Sequence, residues 1–230
     1  MPFDLLPPAV VNLLIVSVQQ TAWMVGVSAV LATLLGLPLA VLLVVTSPGH
    51  IFPRPVLNRV LGVIVNIVRS TPFIILMVAI IPFTRLVAGT SIGTNAAIVP
   101  LTVAITPLFA RLAETAMREV DRGLIEAAEA IGATPGQIIT KVLIPESLPG
   151  IVAGFTVTLV SLIGYSAMAG TVGGGGLGDL GIRFGYQRFM PDVMLAVVII
   201  LVVIVQTIQG LGDWAARAVN HRIARTRRGG

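Results

Sequence analysis

Few residues in this sequence stand at spacings suited to covalent chemistry. Gly173-Gly174-Gly175-Gly176-Leu177-Gly178 satisfies G-x-G-x-x-G, whose bare backbone can approach a pyrophosphate when a strand precedes it and a helix comes after. Here the motif comes after a long apolar stretch, so it reads instead as a flexible loop or a place where backbones approach closely. No G-x-x-x-x-G-K-[ST] occurs, so there is no P-loop to hold ATP phosphates. His50 and His221 lie far apart and there are no cysteines. That leaves no metal site of His or Cys type, no thiol nucleophile and no disulfide framework. No clustered acid–base pair and no nucleophile with a nearby base are present. The expectation is a non-catalytic chain that binds no cofactor or metal of its own, and whose energy comes from a partner or an ion gradient.

The sequence offers mechanics in place of catalysis. Residues 121–149 read DRGLIEAAEAIGATPGQIITKVLIPESLP, the one long polar stretch, and encode two short helices with a break between them. Asp121 is an N-cap candidate. Leu124, Ala128 and Ile131 share a face at i, i+4 and i+7, with Glu126 and Glu129 pointing elsewhere. Gly132 supplies a left-handed stop. Thr134 is the next N-cap, with Pro135 at the first helical position and Gln137 completing a capping box. Ile138, Ile139 and Val142 give the second helix an apolar face, and Pro145 and Pro149 mark a turn into the next apolar stretch.

The elements that position this lever are membrane helices. Of 230 residues, 56% are hydrophobic and 11% charged, against roughly a quarter charged in a soluble domain. Such a chain cannot cover a water-facing surface. No ionisable side chain lies between Asp4 and His50, so residues 12–45 form one long span, tilted or bent at Pro38. Further spans fall at 60–81, 96–116, 150–169 and 193–212. Between them lie a short loop at 82–94, the polar segment 117–149 and a glycine-rich loop at 170–192. A basic tail covers 216–230. The fold class is an all-α polytopic membrane protein with five transmembrane helices, one domain over 1–230 with its core at about 12–215. The N-terminus lacks a basic region before its apolar run, which argues against a cleaved signal peptide.

Five spans put the termini on opposite sides. One side receives Arg54, Arg59, Arg118, Arg122, Lys141, Arg217, Arg222, Arg225, Arg227 and Arg228; the other receives Arg85, Arg183 and Arg188. The positive-inside rule makes the first side cytoplasmic, with the N-terminus outside and the C-terminus inside. The net charge of +5 is thereby explained without nucleic acid. Arg111 is expected to snorkel to the inner interface. Arg69, about ten residues into the second span, is expected to make a polar contact within the bundle.

Glu126-Ala127-Ala128, three residues, Gly132, nine residues, Val142, one residue, Ile144 and Pro145 resemble the EAA loop of ABC-importer permeases, EAA-x3-G-x9-I-x-L-P, with two apolar exchanges. Arg69-Ser70-Thr71-Pro72-Phe73, Ile81-Pro82-Phe83-Thr84-Arg85, Gly89-Thr90-Ser91-Ile92-Gly93 and Gly164-Tyr165-Ser166-Ala167-Met168 resemble bacterial methionine-uptake permeases. That resemblance runs from the first span to about residue 215. It implies a type I ABC importer permease fold that forms a path for methionine, L and D, across the bacterial cytoplasmic membrane. It also implies assembly with a second copy, two ATP-binding subunits carrying ATP and Mg, and an extracytoplasmic binding protein. Glu126, Ala127, Ala128, Gly132, Ala133, Thr134, Pro135 and Gln137 would then couple the chain to the ATPase.

Tyr165, Ser166 and Met168 are expected to approach the dimer axis and help close the path, Arg69 is a further candidate for the path or gate, and Ser161 and Gly164 serve helix packing. Another amino acid or small solute is an alternative cargo. A secondary transporter or channel is the alternative of another class, disfavoured because carboxylates are nearly absent from the spans.

Overall fold

The structure is a computed structural model that describes residues 7–220; the terminal arginines of the basic tail lie outside them. The described residues hold helices and no strand. They are α1 (Pro8–Val45), α2 (Pro55–Ser70), α3 (Phe73–Ala79), α4 (Ile81–Ala88), α5 (Thr94–Arg118), α6 (Arg122–Ala130), α7 (Pro135–Ile138), α8 (Ile144–Ala169), α9 (Gly176–Leu180) and α10 (Pro191–Ala218). Four helical runs are long and apolar enough to cross a membrane, or five if the bent pair α2 and α3 counts as one.

Helix α1 is unbroken over 38 residues, with Pro38 inside it. Proline is tolerated in such helices because neighbouring groups re-satisfy the freed carbonyl. The expected helix over 60–81 is instead two, α2 and α3, bent by 105°. The cause is Pro72, which has no N–H to donate and bars Thr71 from the helical region. It stands as the N-cap of α3 at φ −55°, ψ 134°. The expected loop at 82–94 is largely helix α4, stopped by Gly89 at φ 73°.

The turn expected at Pro145 and Pro149 is absent. Residues 135–174 form one helical run, widened to π geometry at Ile139–Leu143. Wider i→i+5 bonding just before Pro145 carries the helix past its missing donor. The Ser147 hydroxyl donates to the Leu143 carbonyl one turn back, at 2.6 Å.

The expected glycine-rich loop at 170–192 is also mostly helical: a π segment at Gly170–Gly174, then α9, then a second π segment at Gly181–Tyr186. Of the two sequence readings, close backbone approach is the one realised. A Cβ on Gly170 would lie 2.9 Å from the Gly175 carbonyl oxygen, and one on Gly178 would lie 2.5 Å from Ala167 Cα. The segment therefore folds back against the end of α8, and no strand precedes the G-x-G-x-x-G motif.

The chain forms two compact units. One comprises Met1–Ala32, Ser70–Ile105 and Leu159–Ile208; the other comprises Thr33–Arg69, Thr106–Thr158 and Gln209–Gly230. The first unit packs Val10, Leu14, Leu177, Leu180, Val193 and Val197 as a core. Gln20 and Thr21 of α1 accept from the backbone N–H groups of Gly176 and Leu177 at 2.8 and 2.9 Å, satisfying the buried first N–H groups of α9. The core of the second unit includes Ala40, Val44, Phe109, Ala113, Met117 and Leu143. There Phe109 meets Phe155 edge-on at 5.9 Å.

Candidate functional site

The polar segment after α5 is a capped helical hairpin within the second unit. Asp121 accepts from the Gly123 N–H at 2.8 Å and starts α6. Gly132 ends it at φ 79°. Its N–H bonds to the Glu129 carbonyl at 2.9 Å, and the Ala133 N–H bonds to the Ala128 carbonyl at 3.0 Å. This paired closure satisfies two of the last helix carbonyls and requires the left-handed residue. Thr134 then opens α7 with a complete capping box. Gln137 N–H donates to Thr134 Oγ1, and the Gln137 side chain accepts from Thr134 N–H at 2.8 Å. Both caps and the glycine stop form as the residue types dictate.

The buried face of the hairpin differs from the expected one. Ile125, Ala128 and Ile138 are buried together, with Ile51, Ala133 and Val142 packed against them. Leu124 and Ile131, expected on the apolar face with Ala128, are 41% and 85% exposed. The helix is too short for both sets to be covered, and the turn at Gly132 swings Ile138 onto the Ile125 side. Glu126, Ala127, Thr134 and Gln137 are exposed and Pro135 is half-buried. The hairpin thus presents a mixed surface of small, polar and two large apolar side chains.

Beside it, Gly49, His50, Ile51, Arg122, Ile125, Glu126 and Glu129 line a cavity of about 190 Å³. Burial, then the positive charges of Arg118 and Arg122, hold the His50 pKa below its ordinary 6.5.

Arg111, expected to snorkel to the inner interface, is held by specific partners. It donates to Glu114 at 2.7 Å, to the Gly62 carbonyl at 3.2 Å and to Asn66 Oδ1 at 3.2 Å. Glu114, only 4% exposed, also takes Arg118 at 2.9 Å. A carboxylate three residues away was the sequence signal for this pair; the part played by α2 was invisible because nothing local links residues 62 and 111. Arg69, expected in a polar contact within the bundle, stands exposed in the last turn of α2.

In the first unit, Tyr165 stacks on Phe73 with centroids 4.7 Å apart and planes parallel to 1°. Ser166 is turned away from Met168: it is 2% exposed and donates to the Ile163 carbonyl at 2.8 Å. Met168 is 47% exposed, and a Cβ on the exposed Gly164 would meet nothing within 4 Å. The uncovered face of α8 therefore includes Gly164 and Met168 and excludes Ser166.

Long apolar helices joined through a capped polar hairpin define a polytopic membrane protein. Residues 32–225 match the family described as "Binding-protein-dependent transport system inner membrane component", and the chain belongs to that family. A relative in Vibrio cholerae, named "Probable D-methionine transport system permease protein MetI", is 53% identical over 92% of this chain and 94% of its own length. The "D-methionine transport system permease protein MetI" of Escherichia coli K12 is 55% identical over 69% of this chain and 73% of its own. A solved structure of inward-facing conformations of the MetNI methionine ABC transporter is 51% identical, covering 94% of this chain and all of that one, with a TM-score of 0.92.

Proposed function

We propose that this chain forms the translocation path of an ATP-driven importer for methionine. The cargo rests on the 51% identical methionine transporter chain of the same fold. The mechanism rests on the hairpin formed by α6 and α7. The hairpin is the cytoplasmic coupling element and docks on an ATP-hydrolysing partner through Glu126, Ala127, Ile131 and Gln137. Its caps at Asp121 and Thr134 and its fixed turn at Gly132 make it stiff. Because α7 runs without a break into α8, force on the hairpin passes along one continuous helix rather than through a loose linker.

A second copy of the chain completes the path, two ATP-binding subunits bind ATP and Mg, and an extracytoplasmic binding protein delivers the cargo. The uncovered face of α8 around Met168 would face the path, and closure of the ATPase pair would shut the inner side as the outer opens. The positive-inside charge distribution puts the hairpin and C-terminus in the cytoplasm and the N-terminus outside.

The test is labelled-methionine uptake by vesicles carrying this chain, its ATPase and its binding protein. Uptake that depends on ATP and on all three is expected; uptake that persists without the ATPase would refute the reading.

A further inference from the structure

Helix α2 divides into three faces. At three- and four-residue spacing, Val56, Val60, Val63, Ile64 and Ile67 are exposed and apolar. A second face, with Val65, is buried within the second unit. The third carries Arg59, Gly62, Asn66 and Arg69, at spacings of three, four and three, so these side chains share one sector of the helix. Arg59, Asn66 and Arg69 are exposed.

That third face is continued by α5. Arg111 reaches across to Gly62 and Asn66, while Thr115 and Arg118 beside it are also exposed. Asn66, Arg69 and Arg111 fall within apolar spans. Exposed groups of this kind cannot face hydrocarbon without a large penalty, so they border water. The apolar face of α2 suits lipid or helix contact, and the polar face does not.

We propose that the joined polar face of α2 and α5 is a wall of the water-filled inner vestibule, and that its fixed positive charge favours anionic groups and repels cations. Glu114 neutralises one guanidinium, leaving Arg59, Arg69 and one of the Arg111–Arg118 pair in excess. An electropositive wall raises a barrier to sodium, potassium and hydronium. Such a wall lets a zwitterion pass, its carboxylate steered, while the membrane stays tight to cations. This deepens the importer reading and rests on it for the vestibule being cytoplasmic.

The chain's lack of cysteine gives a clean test. Single variants N66C, T115C, V60C and I64C are assembled with the ATPase in inside-out vesicles without ATP. They are treated with anionic sulfonatoethyl or cationic trimethylammonioethyl methanethiosulfonate, and rates are normalised to a free thiol. N66C and T115C should react with both, the anionic reagent favoured about threefold or more, a size set by one or two charges within a screening length. V60C and I64C should react with neither. Adding R69Q, an exposed arginine, should reduce the preference.

Inert N66C and T115C would overturn the wall, and equal normalised rates would overturn the charge selectivity. If the labelling holds but the cysteine-free chain shows no ATP-dependent methionine uptake, the wall stands and the importer reading falls.

Discussion

Replacing Gly132 isolates backbone conformation from packing. Its φ is 79°, and a Cβ built there meets nothing within 4 Å, so a side chain causes no clash. The cost is the left-handed backbone alone, about 1–2 kcal/mol for an ordinary residue and greater for a β-branched one. Asparagine, which tolerates this region, should cost a few tenths of a kcal/mol. At about 2 kcal/mol, Gly132→Val shifts the balance between the native turn and alternatives by roughly thirtyfold. The core beneath the turn is small, Ile125, Ala128 and Ile138 with Ile51, Ala133 and Val142 packed against them, too small to hold the strained geometry. The paired bonds from Gly132 and Ala133 would open and re-aim α6 relative to α7. The assembled transporter should then insert normally, as judged by membrane-fraction immunoblot. It should hydrolyse ATP with little stimulation by cargo and lose most methionine uptake. The expected order is Gly, then Asn, then Ala, then Val. Wild-type coupling by Gly132→Val, or Asn and Val behaving alike, would refute the argument.

Gly178→Ala should be more damaging to the fold, since its Cβ would meet the Ala167 backbone. Overpacking of about 1–3 kcal/mol or more should register as reduced detergent-solubilised yield and a lowered Tm. Glu114→Ala leaves two guanidiniums without their carboxylate. Because Arg111 and Arg118 keep 25% and 43% side-chain exposure, a destabilisation of about 1–3 kcal/mol is expected, read as a drop in Tm. Thr134→Ala removes the capping box and should cost about 1 kcal/mol locally, measurable as faster amide exchange at residues 136–138. His50 has a folded pKa lowered by burial and by Arg118 and Arg122. The unfolded form therefore binds the proton more readily, and stability should fall as pH drops below about 6.5 towards the folded pKa. His50→Gln should flatten that dependence in a Tm series between pH 5 and 8; an unchanged slope would exclude His50 as its source.

Features written in local chemistry were legible from the residues alone. Apolar length specified membrane helices, and Asp121, Gly132, Thr134, Pro135 and Gln137 specified the hairpin's caps and turn, because each acts within four residues along the chain. The spacing of the EAA segment was enough to mark the family. Which faces are covered was settled by the packing of distant segments. Ile125 rather than Leu124 is buried because Ile138 and Ile51 pack on that side. Arg111 is held because α2 brings Gly62 and Asn66 to it. The glycine-rich segment is helical because Gly170 and Gly178 allow backbone to lie against backbone. Proline was ambiguous for the same reason: Pro72 breaks a helix by 105° while Pro38 and Pro149 sit inside theirs. A missing donor can be answered by a bend or a π turn, and the surrounding packing chooses between them.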